Sequence, residues 1–368
     1  MLTEQKRARH NQYFQPLEKG EGGYLAVTSP INDSGNLPVQ LPPPRDANER
    51  WLCTERRLKS AEAAAANTYY GLDAIQYEFV NLGPGVQAAL LGAPYRLEMT
   101  SIWFDTDPPL KSWSNPPAFI TAMNHPLHKV IDEHTRKLCA ASNNRWAVSV
   151  TDIGGTLDVL FSLRGEELLT DFIEYPEEVI AMQEHLDREF MSYYNKIAEI
   201  IKPAGYGHAT WMPIVSDTPY YPIQCDISAL ISPAMFEKFA LPSLDRISTA
   251  VGCGIYHLDG PGEIPHLDML LSLKNVHAIQ WTPLPHPAGV GAVYPADFNF
   301  ADELSLDVYR RAKAAGKKVA IFHVDPGQVE TIYDAVGSDG VFILVNCRTR
   351  KDADEFIAYA KKKNWLTE

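Results

Sequence analysis

The chain has 368 residues, of which 45% are hydrophobic and 21% charged, and its 33 basic and 46 acidic residues give a formal charge of −13. This composition is typical of a globular protein with a sizeable core, and it excludes disordered, collagen-like and small disulfide-rich classes. No apolar run reaches the ~18–20 residues that span a bilayer, and the acidic balance disfavours nucleic acid or an anionic membrane as a partner. Five scattered cysteines without a CxxC motif suit a reducing compartment, so we expect a cytoplasmic protein.

The elements before residue 250 are predicted to be mostly helical. Residues 1–50 are rich in Pro, Asn and Gly and show no helical or strand period, which predicts an irregular N-terminal arm. An alanine-rich helix is predicted for about residues 49–70, and a strand-like stretch follows it into the turn at residues 83–85. Further helices are predicted at 126–141, in two pieces across 163–202 because Pro176 interrupts the pattern, and from the N-cap Ser232 onward.

The last 120 residues alternate between short apolar runs and helical patterns. The runs are at 253–259, 276–282, 317–325 and 340–347, and this alternation predicts parallel strands joined by crossover helices. The runs are apolar almost throughout, as in strands that are covered on both faces. No glycine-rich phosphate-binding loop opens the intervening helices. We therefore predict an α/β fold, namely a (β/α)8 TIM barrel formed by residues 51–368 after an arm of residues 1–50.

The predicted strands end in polar residues, and in such a barrel the active site lies at those ends. His257 and Asp259 share one face of a strand because they are two residues apart. With Cys347 from a later strand they offer the nitrogen, oxygen and thiolate ligands that zinc prefers. Three ligands would leave an open position at which a substrate heteroatom is activated. For His257 alone, the competing interpretation is a histidine that is satisfied by a backbone carbonyl.

Other candidates surround this predicted centre. Asp226 is expected to handle a proton or the substrate, with Gln224 orienting the substrate, although carboxylates after strands also cap helices. Trp281 and Trp103 are expected as apolar walls of a pocket, although most aromatic residues only pack in a core. The remaining predicted substrate contacts are Gln280, Tyr256, Asn81 and His323.

Several segments together resemble the uroporphyrinogen decarboxylase superfamily. These are DISALISPAMFEKFALPSLDRI, IYHLDGPGEIPHLDMLLSL, AIQWTP, HVDP and FILVNCRTRKDADEFI, in matching order over about residues 150–365. The resemblance implies a (β/α)8 barrel and supports a homodimer. It also implies, from DAIQYEFVNLGPG, the position of the first barrel strand. The decarboxylase itself carries an arginine-rich N-terminal signature, RQAGR, which this chain lacks, so porphyrinogen decarboxylation is not expected.

The other branch of the superfamily comprises corrinoid-dependent methyltransferases, which hold zinc through His-x-Cys and a distant Cys. His257 and Cys347 match the first and last of these positions, whereas Asp259 replaces the middle Cys. One thiolate fewer makes the site harder and lowers its affinity for a soft metal. The resemblance thus implies zinc at a modified site and a corrinoid carried by a partner protein.

Three functions remain open at this point. The first is a methyltransferase that moves a methyl group between a small organic substrate and a corrinoid carrier protein, with zinc-assisted activation. The second is a metal-independent decarboxylase or lyase in which Asp226 and His257 perform acid–base chemistry on a small carboxylated molecule. The third is a barrel that binds a small ligand without catalysis.

Overall fold

A mostly parallel sheet organises the computed structural model, which describes residues 2–33, 37–104, 107–283 and 298–366. The strands in chain order are β1 (Tyr24–Pro30), β2 (Thr68–Leu72), β3 (Tyr77–Glu78), β4 (Arg96–Leu97), β5 (Ile102–Trp103), β6 (Ala147–Val148), β7 (His208–Ala209), β8 (Val215–Ser216), β9 (Tyr221–Ile223), β10 (Gly254–Asp259), β11 (Val276–Thr282), β12 (Lys318–Val324) and β13 (Val341–Asn346). The main sheet has the order β2-β1-β13-β12-β11-β10-β9. Its neighbours are parallel, except that β2 runs antiparallel to β1.

Helices connect and cover these strands. They are α1 (Glu4–Tyr13), α2 (Ala47–Leu52), α3 (Thr54–Asn67), α4 (Val86–Leu90), α5 (Pro126–Ser142), α6 (Thr156–Arg164), α7 (Glu167–Glu174), α8 (Pro176–Ile201), α9 (Pro233–Met235), α10 (Leu241–Val251), α11 (Leu267–Ser272), α12 (Glu303–Ala314), α13 (Val329–Val336) and α14 (Arg350–Lys362). Short 3₁₀ turns follow several strands, at Asp226–Leu230, Pro261–His266 and Pro326–Gln328. In the part of the chain that the structure describes, no helix is both long and apolar enough to cross a bilayer.

Most of the predicted elements after residue 120 are confirmed. The four apolar runs form β10 to β13, and a new helix starts at Pro176 because proline is tolerated in the first turn but not in the interior. Ser232 caps α9, since its side chain accepts a hydrogen bond from the Met235 amide at 3.3 Å. Asp325 is also a helix cap, because its Oδ1 accepts a hydrogen bond from the Gly327 amide at 2.9 Å. For this carboxylate, the interpretation that acidic residues after strands cap the next helix is confirmed.

The prediction of an irregular arm is wrong for two stretches of residues 1–50. Residues 4–13 form α1, which Thr3 caps through its side chain. Residues 24–30 form β1, which pairs in parallel with β13 and is therefore an internal strand of the main sheet. The run YLAVT is short and is flanked by Gly and Pro, so its strand character emerges only when β13 supplies the hydrogen bonds. The first parallel strand is thus β1 and not the stretch around Tyr77, which forms β3.

Closure into a barrel was also predicted, and the hydrogen-bonded ladders among the described residues do not complete it. The strands β3 and β6 pair with each other in a separate two-stranded sheet. Two further backbone hydrogen bonds lie outside the assigned strands: the Asp73 amide donates to the Leu25 carbonyl at 2.9 Å just beyond β2, and the Val150 amide donates to the Ala209 carbonyl of β7 at 3.2 Å. The observed architecture is therefore a mixed α/β fold with a parallel sheet and helices packed on it.

The two faces of the main sheet belong to two different cores. We call the inner face the one that carries Tyr24, Ala26, Ile255, Ala278, Ala320, Phe322, Phe342 and Leu344, which pack in one buried cluster with Tyr13 and Tyr220. The outer face carries the alternate residues, among them Val27, Leu258, Ile279, Ile321 and Val345, and packs with the helices in the larger cluster. Because side chains alternate along a strand, this assignment decides which strand-end residues can meet.

Candidate active site

Polar side chains from several strands continue the inner face beyond its apolar layers. Ile255 of β10 and Ala278 of β11 belong to the inner cluster. Because alternate residues of a strand share a face, His257 and Asp259 of β10 and Gln280 of β11 also point to the inner side. We define the mouth residues as this group at the carboxyl ends of the strands: Thr28, Gln224, Asp226, His257, Asp259, Gln280, Thr282 and Asn346. Carboxyl ends of parallel strands form the usual active-site edge in α/β folds. The sheet thus brings five predicted site residues, namely Gln224, Asp226, His257, Asp259 and Gln280, to one edge.

The imidazole of His257 has a defined orientation. Its Nδ1 is hydrogen-bonded to Oε1 of Gln280, while Nε2 of Gln280 donates to the Trp281 carbonyl at 3.0 Å and to Thr282 Oγ1 at 3.3 Å. Since the amide nitrogen of Gln280 is engaged elsewhere, its oxygen must accept, and His257 Nδ1 carries a proton. In the neutral ring, Nε2 is then the atom with a lone pair for chemistry.

Asp226 carries the carboxyl group whose acidity is most useful for catalysis. Its side chain touches solvent, yet protein surrounds it on most sides. Loss of hydration raises the pKa of the Asp226 carboxyl to about 6, with the charge of His257 opposing the rise and Asp259 and Asp152 adding to it. Gln224 Nε2 lies 3.3 Å from Oδ2 of Asp226. A carboxyl that titrates near neutral pH can donate or accept a proton under working conditions.

Two further carboxyl groups lie behind Asp226. Asp158 Oδ1 accepts a hydrogen bond from the Ile227 amide at 2.8 Å, and Glu263 Oε2 accepts from the Tyr256 hydroxyl at 2.9 Å. Burial, followed by the negative charge of Asp226, holds the pKa of both Asp158 and Glu263 well above its usual value. Both carboxyl groups therefore hold their protons more tightly than a free carboxyl group does, which limits the negative charge beside Asp226.

His323 and Asn346 form a second polar group at this edge. The Asn346 side chain lies 2.9 Å from His323 Nδ1 and also accepts a hydrogen bond from Thr28 Oγ1 at 2.9 Å. His323 has a positive φ of 66°, where the β12–β13 register shifts. Burial lowers the pKa of His323 to about 4, so the ring is neutral at pH 7.

Cys347 lies on the other face of the sheet from His257. It belongs to the outer cluster with Val345, and its amide donates to the Thr28 carbonyl at 2.8 Å. Burial raises the pKa of the Cys347 thiol to about 12. Within the described ranges, no group of three or more His, Cys, Asp or Glu side chains is placed to hold a metal ion. The predicted zinc set of His257, Asp259 and Cys347 therefore does not fit this structure.

Of four other predicted contacts, two face away from the mouth and two have their described contacts in other segments. Trp281 is fully buried on the outer face, where its Nε1 donates to Ser305 Oγ at 2.9 Å. Tyr256 is on the same face and binds Glu263. Strand alternation gives the reason for both, since each is one residue from an inward-facing neighbour. Trp103 binds Glu98 in the β4–β5 hairpin, and Asn81 lines a separate pocket beside α3 and α5.

The structure adds one aromatic residue that the sequence patterns did not indicate. Trp211 packs against the inner cluster, and its ring meets the His257 ring edge to face with the centroids 5.0 Å apart. Its Nε1 is buried without a hydrogen-bond partner among the described residues. Trp211 follows the two-residue strand β7, which is too short for a periodicity signal, and only its ring contact with His257 identifies it.

Comparison with known proteins supports the fold. The chain is similar in structure to a methyltransferase from Methanosarcina mazei, with a TM-score of 0.60, 13% sequence identity and 98% of each chain covered. It is also matched to an HpcH/HpaI aldolase/citrate lyase family protein from Burkholderia cenocepacia, but that TM-score of 0.27 is too low to carry an argument. No protein-family model matches the sequence, and a search of curated proteins finds no significant match. At this identity the first similarity establishes a shared fold.

Proposed function

We propose that this protein is an enzyme that removes a methyl group from a small neutral or cationic methyl donor, such as a methyl ether or a methylamine. The observation that carries the proposal is the charge of the mouth. Asp226 interacts with Asp259 and Asp152, the cationic contribution comes from His257, and the mouth residues as defined include no Lys or Arg. The resemblance of the sequence and the fold shared with a methyltransferase support methyl transfer as the reaction.

The same charges argue against a carboxylated substrate. A carboxylate placed beside Asp226 and Asp259 would be repelled, and no arginine or lysine of the mouth would offset the loss of its hydration. A metal-independent decarboxylase or lyase remains the second candidate, because Asp226 and His257 together could act as acid and base.

The residues of the chain can supply the proton that the reaction needs. As the bond between the methyl carbon and the heteroatom breaks, the electron pair of that bond stays on the heteroatom. A neutral donor would leave as an anion, and Asp226 in its protonated form donates a proton to its heteroatom and is later reprotonated from water. A cationic donor leaves as a neutral amine and takes up no proton. Gln280 orients the His257 ring, and His257 holds the substrate or the Asp226 carboxyl group through its Nε2 atom. Trp211 forms an apolar wall beside the His257 ring.

The methyl group needs a nucleophile that this chain does not provide. The resemblance suggests a corrinoid on a partner protein, which would supply that nucleophile when it docks at the mouth. Zinc has no part in the proposed reaction, since Cys347 lies on the outer face. The homodimer predicted from the sequence stays a prediction.

The reaction can be tested with free reduced cobalamin as the methyl acceptor, by following its methylation spectroscopically. We expect turnover with methylated amines or methoxylated aromatics and a fall in kcat as the pH rises through about 6, because the protonated Asp226 is the active form. Asp226→Asn should lower kcat by about 10²–10⁴-fold, whereas Asp268→Asn, a matched change at an exposed residue of α11, should leave it nearly unchanged. Release of CO₂ from small carboxylic acids, with no methyl transfer, would instead establish the lyase.

A further inference from the structure

A second pocket, lined by none of the mouth residues, concentrates positive charge in a chain of net charge −13. It has a volume of about 360 Å³ and is walled by side chains of α2, α3, α5 and the segment after β3. The residues that matter for its chemistry are Arg50, Trp51, Arg56, Arg57, Phe79 and His134. We propose that this pocket binds a small organic anion with a planar or aromatic part.

The arginines leave positive charge available to a ligand. Arg57 is paired with the buried Glu78 at 2.5 Å, and Arg56 lies 3.9 Å from Glu49, which also binds Arg45. The guanidinium of Arg50 lies over the Trp51 ring, 4.8 Å from its centroid, and has no ion pair within the described ranges. Two carboxylates against three arginines leave about one uncompensated positive charge, which matches one anionic group.

Two residues that line the pocket each have one buried polar atom without a hydrogen-bond partner among the described residues. Arg57 Nε and His134 Nδ1 are buried with no hydrogen-bond partner among the residues that the structure describes. His134 is only 2% exposed, and its Nε2 faces the Leu52 carbonyl at 3.4 Å. Buried polar atoms are nearly always hydrogen-bonded, and one left alone costs about 1–3 kcal/mol. These two lining residues therefore have hydrogen-bonding capacity that the described part of the protein does not use.

The aromatic walls indicate the rest of the ligand. Trp51 is held by a hydrogen bond from its Nε1 to the Glu98 carbonyl at 2.7 Å, and Phe79 stacks on Tyr77. Fixed aromatic faces beside guanidinium groups bind planar organic anions better than inorganic ions, because they also bury apolar surface. The anionic group can be a carboxylate or a phosphate, since arginine binds both in the same forked geometry.

The pocket can be tested by calorimetry with benzoate and phenyl phosphate, each in its own titration, and with benzyl alcohol as the neutral analogue. We expect at least one anion to bind with a Kd below about 1 mM, and benzyl alcohol to bind at least about tenfold more weakly. The tighter of the two anions identifies the anionic group. Equal binding of benzyl alcohol, or no binding of either anion, would overturn the proposal.

Variants place the binding at this pocket. The double variant Arg50→Gln/Arg56→Gln spares the Arg57–Glu78 pair and should weaken anion binding by about tenfold or more. Arg136→Gln removes one positive charge from an exposed position of α5, where Arg136 pairs with Asp132, and should change the Kd less than twofold. In NMR spectra of the intact protein, the His134 ring signals should shift and saturate with the same Kd. Unchanged His134 signals, or unweakened binding in the double variant, would refute the assignment. These measurements require no turnover, so their outcome is independent of the proposed methyl transfer.

Discussion

Replacing Asp226 by asparagine should make the protein more stable at alkaline pH and inactive. The carboxyl has its pKa raised from an ordinary 3.8 to about 6, chiefly by loss of hydration. Because the folded state holds this proton more tightly than the unfolded state, the stability contributed by the protonated carboxyl is lost as the pH rises from about 4 through 6. The amide side chain introduced in the Asp226→Asn variant would carry no charge at any of these pH values.

The magnitude follows from the difference in pKa. A rise from 3.8 to about 6 corresponds to about 3 kcal/mol of cost for the ionised form above pH 6. The Asp226 side chain is more than a third exposed, so solvent screening reduces this cost to about 1 kcal/mol. Removing a general acid typically lowers kcat by about 10²–10⁴-fold. The variant should therefore gain about 1 kcal/mol at pH 8 and almost nothing at pH 4.

Urea unfolding at pH 4 and pH 8 measures the first effect, and methylation of free cobalamin measures the second. Asp268→Asn is the control for the loss of one carboxylate from the acidic chain, and it should leave both quantities nearly unchanged. A variant that is less stable than the parent at pH 8, or one that keeps more than a third of the activity, would show that Asp226 is a structural residue and refute the reasoning.

Three other substitutions test the role of Cys347 on the outer face, the orientation of His257 by Gln280, and the buried ion pair between Lys318 and Glu21. Cys347→Ala should keep kcat/KM within about twofold and lower the free energy of urea unfolding by about 1 kcal/mol, because the thiol packs on the outer face. A variant of unchanged stability that has lost its activity would show that Cys347 belongs to the active site. Gln280→Leu should lower kcat about 10–100-fold by releasing the His257 ring, and an unchanged kcat in the folded variant would contradict this role. Lys318→Met should destabilise by about 3–5 kcal/mol, since it strands Glu21, which is 2.8 Å from Lys318 with both side chains buried. Adding Glu21→Gln should recover most of that loss, and an equal loss in the double variant would show that the ion pair is not the cause.

The sequence predicted the later half of the fold because local signals there agree with one another. The runs that form β10 to β13 are apolar throughout, and the helical segments that follow them include ones capped by Asp302, Asp325 and Thr349. The strand β1 escapes prediction because YLAVT is too short to be told from an extended loop. Its identity depends on pairing with β13, more than 300 residues later in the chain.

The candidate site was predicted in part for the same reason. His257 and Asp226 were found because polar residues at strand ends carry a clear signal, whereas Trp211 and Asp158 sit in segments without that signal. The sequence analysis made no prediction for the arginines of the second pocket. Three arginines within eight residues are unusual in a strongly acidic chain, and this cluster could have indicated an anion-binding site.

By itself, the sequence determined which residues form the parallel strands β10 to β13 and which polar residues stand at their ends. Only the tertiary structure decided which of these residues meet, because a strand sends neighbouring side chains to opposite faces and the alternation can shift where strands end. His257 and Gln280 therefore meet on the inner face, while Cys347 and Trp281 are buried against helices on the outer face. The net charge of the chain was informative only about partners, since it disfavoured nucleic acid and anionic membranes. It could not show where the carboxylates of the mouth or the arginines of the second pocket lie.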